Sequence, residues 1–186
     1  MPASSPRATD AGRPRGQSGQ SVVEFARAVP ALLTMLFGML NIGVLITDKV
    51  TAGYAARQGA RLAAQLGSGS PSGLTTLQID QNICQAVLAS AANFAYAAVS
   101  EVDIYQADVG GSTTGTFSTA LPYNSYDGSC NQTHQGFLNT ARNQVPPNET
   151  SIGVNVKWRY TTPTGYQALS LTLSDYAVLK AAPVLG

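Results

Sequence analysis

Residues 19–47 read Gly19-Gln-Ser-Val-Val-Glu-Phe-Ala-Arg-Ala-Val-Pro-Ala-Leu-Leu-Thr-Met-Leu-Phe-Gly-Met-Leu-Asn-Ile-Gly-Val-Leu-Ile-Thr47. The last 20 of these residues, from Ala28 to Thr47, carry no charge. As an α-helix they would extend about 30 Å, the thickness of the hydrocarbon core of a bilayer. The segment is too long for the core of a simple secretory signal, and no small-residue cleavage site follows it. We therefore predict a retained transmembrane helix.

The basic residues around this segment predict its orientation. Four arginines lie before its first residue, Ala28: Arg7, Arg13, Arg15 and Arg27. Lys49 alone follows closely, with Arg57 and Arg61 further along. The positive-inside rule places the amino terminus in the cytoplasm and residues 50–186 outside. We expect a single-pass protein of the inner (cell) membrane, with the lipid bilayer as its first partner.

Two features of the apolar helix suggest contacts with other groups. Glu24 lies at its edge, where a carboxylate is costly because little water solvates it, so a partner for this charge is expected. Thr34 and Gly38 are four residues apart and could let another helix approach closely. Small residues are also common in membrane helices without any such contact.

Composition divides the chain into four parts. Residues 1–19 are rich in Pro, Ser, Arg and Gly, and we predict a disordered cytoplasmic leader. Residues 20–66 pass from the apolar segment into an alanine-rich stretch without a break, which predicts one helix about 70 Å long. Residues 67–73, Gly-Ser-Gly-Ser-Pro-Ser-Gly, predict a linker. Residues 74–186 are then an extracytoplasmic domain.

The domain begins with a second helix. Thr75 and Gln78 have the spacing of a capping box. Apolar residues follow at helical spacing, and the helix is expected to end near Ala98. This apolar stripe consists of Ile79, Ile83, Cys84, Val87, Leu88, Ala91 and Ala95.

The rest of the domain predicts strands. Alternation is clearest over residues 151–162, and a further strand alternates at Leu169, Leu171 and Leu173. The apolar face of the first is Ile152, Val154, Val156, Trp158 and Tyr160. Residues 110–145 predict a polar loop. One apolar face per strand calls for a small antiparallel sheet covered by the second helix, so the predicted fold class is α+β.

Two motifs resemble the TadE-like family in their order and spacing. The first is Gly19-Gln-Ser-Val-Val-Glu-Phe-Ala26, with Pro30 and glycines 38 and 43 behind it; the second is Ala56-Arg-Gln-Gly-Ala-Arg-Leu-Ala-Ala64. The resemblance implies a pseudopilin-like component of the tight-adherence (Flp-type) pilus biogenesis and secretion machinery. It also implies a pilin-like fold and a structural role in assembly. Arg27 stands where the family usually has an apolar residue, and Gln58 where a glutamate is common.

The same resemblance implies a processing site. Some family members are cut by a prepilin peptidase after the leader glycine. Gly19 would then be the last leader residue and Gln20 the new amino terminus. Glu24 and Phe25 would become the fifth and sixth mature residues, and the new amine would be the partner of Glu24. The implied protein partners are pilins, pseudopilins, other pilus-assembly proteins and the peptidase.

Other residues give little sign of catalysis. His134 is the only histidine, in the predicted loop, and no nucleophile elbow or metal spacing accompanies it. Glu101 and Asp103 point the same way on a strand, as a carboxylate pair or as an ordinary polar face. No basic face suggests nucleic acid, and no glycine motif suggests a phosphate. We expect no enzyme, metal, cofactor or small-molecule substrate. The alternative function is a signal-anchored extracytoplasmic binding domain unrelated to pili, which has no use for Glu24.

Cys84 and Cys130 are the only two cysteines. An oxidising compartment outside the membrane favours a disulfide between them. The alternative is a pair of reduced, buried cysteines, since Cys84 lies on the apolar stripe of the second helix.

Overall fold

The computed structural model describes residues 17–67, 73–108, 115–145, 148–163 and 170–182. These ranges form two helices, α1 (Gln17–Leu66) and α2 (Thr76–Ala91). They also form five strands: β1 (Ala97–Gln106), β2 (Tyr123–Asp127), β3 (Gln132–Gln135), β4 (Ser151–Thr161) and β5 (Ser170–Lys180). A short 3-10 helix, Asn139–Ala141, precedes β4. The predicted α+β class, with a long apolar helix first, is confirmed. Most of the predicted leader and linker, residues 1–16 and 68–72, lies outside the described residues.

The described residues divide between Leu40 and Asn41 into two units. The described part of the first unit is the amino-terminal portion of α1, whose large apolar side chains are exposed, among them Val22, Phe25, Leu32, Met35 and Met39. The most apolar 18-residue window of α1 has a mean hydropathy of 2.1, and none of it is buried. Among the described residues, α1 is the one helix long and apolar enough to cross a membrane.

The second unit is built on an antiparallel sheet. Its strand order is β3-β2-β1-β4-β5, and every neighbouring pair is antiparallel. The predicted apolar side chains of β4, from Ile152 to Tyr160, are all buried, as alternation requires of one covered face. Leu171 and Leu173 of β5 are half-buried on the same face, whereas Leu169 of the predicted strand lies outside the described residues.

The carboxyl-terminal half of α1 and helix α2 pack on that face. Five alanines of α1 are fully buried: Ala52, Ala55, Ala56, Ala60 and Ala63. Such small side chains bring the helix backbone close to the sheet. At Gly59 an added Cβ would lie 2.5 Å from Cγ2 of Val87 on α2 and 3.1 Å from Cγ1 of Val154 on β4. Gly59 therefore stands where three elements meet too closely for a side chain.

The predicted end of α2 near Ala98 is wrong. The helix begins at the predicted capping box, in which Thr75 and Gln78 bond reciprocally, but it ends at Ala91. From Ala97 the chain is a strand that pairs with β4 as far as Gln106. The alanines of this stretch favour helix locally, but pairing with β4 outweighs that preference.

The prediction that residues 110–145 are one polar loop is also wrong, because β2 and β3 lie within them. Neither strand shows apolar alternation. In β2 the polar Asn124 and Ser125 are buried and form hydrogen bonds, so burial there does not select apolar residues. Residues 109–114 of the predicted loop lie outside the described residues.

Candidate functional site

The predicted processing motif lies in the first turns of α1. Gln20 and Glu24 are one turn apart on the same side of the helix, and the side-chain amide of Gln20 donates to Oε1 of Glu24 at 3.1 Å. Phe25 is 70% exposed beside them. The residue that would become the new amino terminus is therefore already next to the carboxylate that it is predicted to pair with.

The predicted helix-contact face lies further along the same unit. The Thr34 hydroxyl donates to the Pro30 carbonyl at 2.8 Å, as threonines in helices commonly do. A Cβ added at Gly38 would meet no described atom within 4 Å, apart from the helix's own nearby backbone. Contact with another helix at Thr34 and Gly38 stays a prediction.

A buried carboxylate joins α1 to the turn between α2 and β1. Asp48 is fully buried, and its two oxygens accept hydrogen bonds from the backbone N–H groups of Ala95 (2.8 Å) and Tyr96 (3.2 Å). No sequence pattern assigned a role to Asp48, which directly follows the uncharged segment. Its partners, 47 and 48 residues away, could not be read from local spacing.

The domain contacts α1 before the uncharged segment ends. The Tyr160 hydroxyl donates to the Asn41 carbonyl at 3.1 Å, and Val44 and Leu45 pack against buried Trp158 and Tyr160. The last two turns of the predicted span are therefore partly covered by protein, and the bare part of α1 ends near Asn41.

Residues 19–61 match the family model described as TadE-like protein. This segment is TadE-like. The match confirms the resemblance and covers the whole first motif and the second motif as far as Arg61. No curated protein and no solved structure matches the chain. The TadE-like segment thus includes the processing motif, Asp48 and the buried alanines up to Ala60, whereas α2 and the sheet lie beyond it.

The two departures from the family pattern lie on exposed or half-exposed parts of the TadE-like segment. Arg27 is exposed, one turn after Glu24. Gln58 is half-buried, and its side-chain amide donates to the Tyr54 hydroxyl at 2.6 Å. A glutamate at residue 58 could accept a hydrogen bond from the same hydroxyl, so the change keeps the contact and removes a charge.

A buried ion pair lies outside the TadE-like segment. Arg142 donates to both oxygens of Asp80, at 2.7 and 2.9 Å, and both side chains are fully buried. Asn124 and Tyr126 also donate to Asp80. Burial, together with the nearby Asp80 carboxylate, raises the pKa of Tyr126, which keeps its hydroxyl protonated and able to donate. The sequence analysis did not predict this pair; the signal that could have indicated it is Asp80, a charged residue one turn before Cys84 on the apolar stripe of α2.

The carboxylates Glu101 and Asp103 do point the same way, on the sheet face opposite the helices, which we call the outer face. The Lys157 ammonium lies 2.9 Å from Glu101 and 3.2 Å from Asp103, and the Ser125 hydroxyl, with its one proton, lies within hydrogen-bond distance of both carboxylates. Burial raises the pKa of Asp103. Burial opposes the shift at Glu101, but hydrogen bonds from Ser125 and Lys157 lower its pKa. The cation and the hydroxyl shared by both groups make this a structural cluster of the sheet.

His134 is not in a loop, as predicted, but on the edge strand β3. It is exposed and stacks on the Tyr123 ring with centroids 4.3 Å apart. Among the described residues, no group of three or more His, Cys, Asp and Glu side chains is placed to hold a metal ion.

The structure joins Cys84 and Cys130 in a disulfide. The bond links α2 to the turn between β2 and β3, where Cys130 has a positive φ of 60°. Cys84 is fully buried and Cys130 nearly so. The sulfur atoms are thus enclosed in the core that α2 forms with the sheet.

Proposed function

We propose that the protein is a membrane-anchored, pseudopilin-like component of a tight-adherence (Flp-type) pilus biogenesis and secretion system. Its role is structural, in assembly, and not enzymatic. The observation that carries the proposal is the TadE-like match over residues 19–61, which contains the Gly19, Gln20 and Glu24 register at the start of an apolar helix. The exposed apolar surface of α1 supports anchoring, because such a surface is stable in lipid and not in water.

The proposed orientation puts the amino terminus in the cytoplasm and the α+β domain outside the inner membrane. The excess of arginine before the span supports this orientation. The disulfide of the structure is of a kind that persists in oxidising compartments. The proposed partners are pilins, pseudopilins and other assembly proteins, with a prepilin peptidase acting on the leader.

Glu24 has a specific part in this proposal. Cleavage after Gly19 creates an amine on Gln20, whose side chain already bonds to Glu24. That amine, or the amine of a neighbouring subunit, neutralises the carboxylate in an apolar setting. An ion pair there adds little stability by itself, but an unpaired charge is strongly unfavourable, so the pair selects a correctly placed partner.

Cleavage by a prepilin peptidase is expected to leave Gln20 as the first residue. Intact mass and amino-terminal sequencing of the protein extracted from membranes measure this directly. A strain without the peptidase is the control and should retain the whole leader. A mature chain that still begins at Met1 or Pro2 in the presence of the peptidase would contradict the prediction.

Replacing Glu24 by alanine or glutamine is expected to abolish or strongly reduce piliation and surface adhesion at normal protein level. Membrane insertion and the domain should be unaffected, because Glu24 lies in the separate first unit. Glu24→Asp keeps the charge with a shorter reach and should retain part of the activity. Pilus yield, adhesion and an immunoblot measure the effect.

The matched control is Glu149→Ala, which removes a carboxylate from the domain. It should leave piliation unchanged. Normal piliation with Glu24→Ala at normal protein level would favour the alternative, a signal-anchored extracytoplasmic domain unrelated to pili.

A further inference from the structure

A groove of about 540 Å³ runs along the edge of β5 that does not pair with β4. On one side it is bordered by two arginines of α1, Arg57 and Arg61, and on the other by Gly115. Its floor consists of Tyr176, Ala177, Val178 and Leu179 of β5. The groove therefore combines a strand edge with two cations from the helix layer.

No described strand pairs with the backbone of β5 on this side. Among the described strands, β5 stands at the end of the sheet. Just after β5, Ala181 donates its N–H to the carbonyl of Thr150, which precedes β4. Backbone groups alternate in direction along a strand, so the odd-numbered residues of β5 direct theirs towards β4. The even-numbered residues direct their backbone N–H and C=O groups to the opposite edge; they include Tyr176, Val178 and Lys180. Such an edge can accept an additional strand.

The two arginines have no carboxylate partner among the described residues. The ion pairs found there are Arg142 with Asp80, and Lys157 with Glu101 and Asp103. Arg57 and Arg61 are both exposed. Two exposed cations that no described carboxylate neutralises, beside a strand edge, complement an extended segment that carries negative charge.

The spacing of the arginines specifies the spacing of those negative charges. From Asn41 onward α1 runs alongside β5 in the same direction. Asn41 accepts a hydrogen bond from Tyr160, which pairs with Leu171 near the start of β5. Further along, Ala64 accepts a hydrogen bond from Ala182, just after the end of β5. Four residues of helix rise about 6 Å. Two residues of an extended strand rise about 6.8 Å and place their side chains on the same face. Acidic residues at i and i+2 of an added strand would thus meet both arginines.

We propose that this groove binds an extended segment of another protein that carries two acidic residues separated by one residue. The segment would add to the sheet beside β5 and direct both carboxylates at Arg57 and Arg61. A second copy of this chain does not fit, because Glu101 and Asp103 are its one acidic pair with that spacing. Those two residues lie in β1, which is paired on both sides by β2 and β4.

A synthetic peptide tests the proposal on the oxidised full-length chain in detergent micelles. The probe is a fluorescein-labelled peptide with one Glu-Val-Glu flanked by alternating threonine and valine. A spacing control has the same composition with its glutamates at i and i+3, which project to opposite faces of a strand. The probe should bind about tenfold more tightly than the spacing control in fluorescence anisotropy, and its binding should weaken with added salt.

Variants of the chain separate the two parts of the groove. Arg57→Gln with Arg61→Gln should remove the tenfold preference, and Val178→Pro should weaken both peptides because it removes an outward N–H. Arg159→Gln, at an exposed arginine of β4, is the matched control and should bind like the unchanged chain. Thermal unfolding checks that each variant is folded. Hydrogen exchange should show protection of the Tyr176 and Val178 amides by the probe.

Three results would overturn the proposal. They are equal affinity for the two peptides, an equal loss of affinity with Arg159→Gln, and no binding at about 1 mM peptide, the weak end of specific association. The assay uses purified protein and no pili, so it stands apart from the proposed function. Normal piliation with Glu24→Ala would count against the assembly role proposed for Glu24 and would leave the inference about this groove unaffected.

Discussion

Replacing Arg142 by alanine is expected to lower the free energy of unfolding of the domain by about 3–5 kcal/mol. The Asp80 carboxylate would remain fully buried and lose the two charged hydrogen bonds that now neutralise it. Asn124 and Tyr126 would still donate to it, but neutral donors do not compensate a buried charge. Urea unfolding of the full-length protein in detergent, followed by tryptophan fluorescence of Trp158, measures the change.

A double variant that lacks both charges tests the cause of this loss. Asp80→Leu with Arg142→Leu removes both charges and should be less destabilising than Arg142→Ala alone, because no buried charge is left unpaired. Arg159→Ala is the matched control at an exposed arginine and should change stability by less than about 0.5 kcal/mol. A loss below about 1 kcal/mol for Arg142→Ala would contradict a buried ion pair.

Replacing both Cys84 and Cys130 by alanine is expected to lower the free energy of unfolding by about 4 kcal/mol. The bond closes a loop with a sequence separation of 46, and its removal gives the unfolded chain more conformations. The same unfolding experiment measures the loss. Reducing the unchanged protein should give a similar loss, and reductant should not affect the double variant.

Thiol titration under denaturing, non-reducing conditions checks the disulfide independently. Protein from membranes should show no free thiol, and the reduced sample should show two. Two free thiols in the unreduced protein would mean that the cysteines are buried and reduced. That result would also weaken the proposed extracytoplasmic location of the domain.

The ion pair and the disulfide hold the same part of the fold. Asp80 and Cys84 are one turn apart on α2, and their partners Arg142 and Cys130 lie in the connection from β2 to β4. The connection contains one short strand, β3, and has few apolar residues of its own. We therefore expect the two losses of unfolding free energy to be non-additive. Once one link is removed, the connection from β2 to β4 is held less firmly against α2 at the other link.

Much of the architecture could be predicted from the sequence, because those features depend on neighbours a few residues apart. The apolar run before Asn41, the capping box of Thr75 and Gln78, and the alternation of β4 each repeat a local period of helix or strand. The motif around Gly19 and Glu24 is equally local. These signals were sufficient for the fold class, for the apolar helix and for the TadE-like resemblance.

Tertiary structure decided the features whose partners lie far along the chain. Arg142 meets Asp80 across 62 residues, Ala95 meets Asp48 across 47, and Asn124 meets Asp80 across 44. The end of α2 and the existence of β2 depend on the same long-range pairing. The spacing of apolar residues in the sequence indicates which apolar side chains are buried. A buried polar residue is stable only beside its particular partner, and the sequence pattern does not indicate that partner. That partner is known only once the chain has folded.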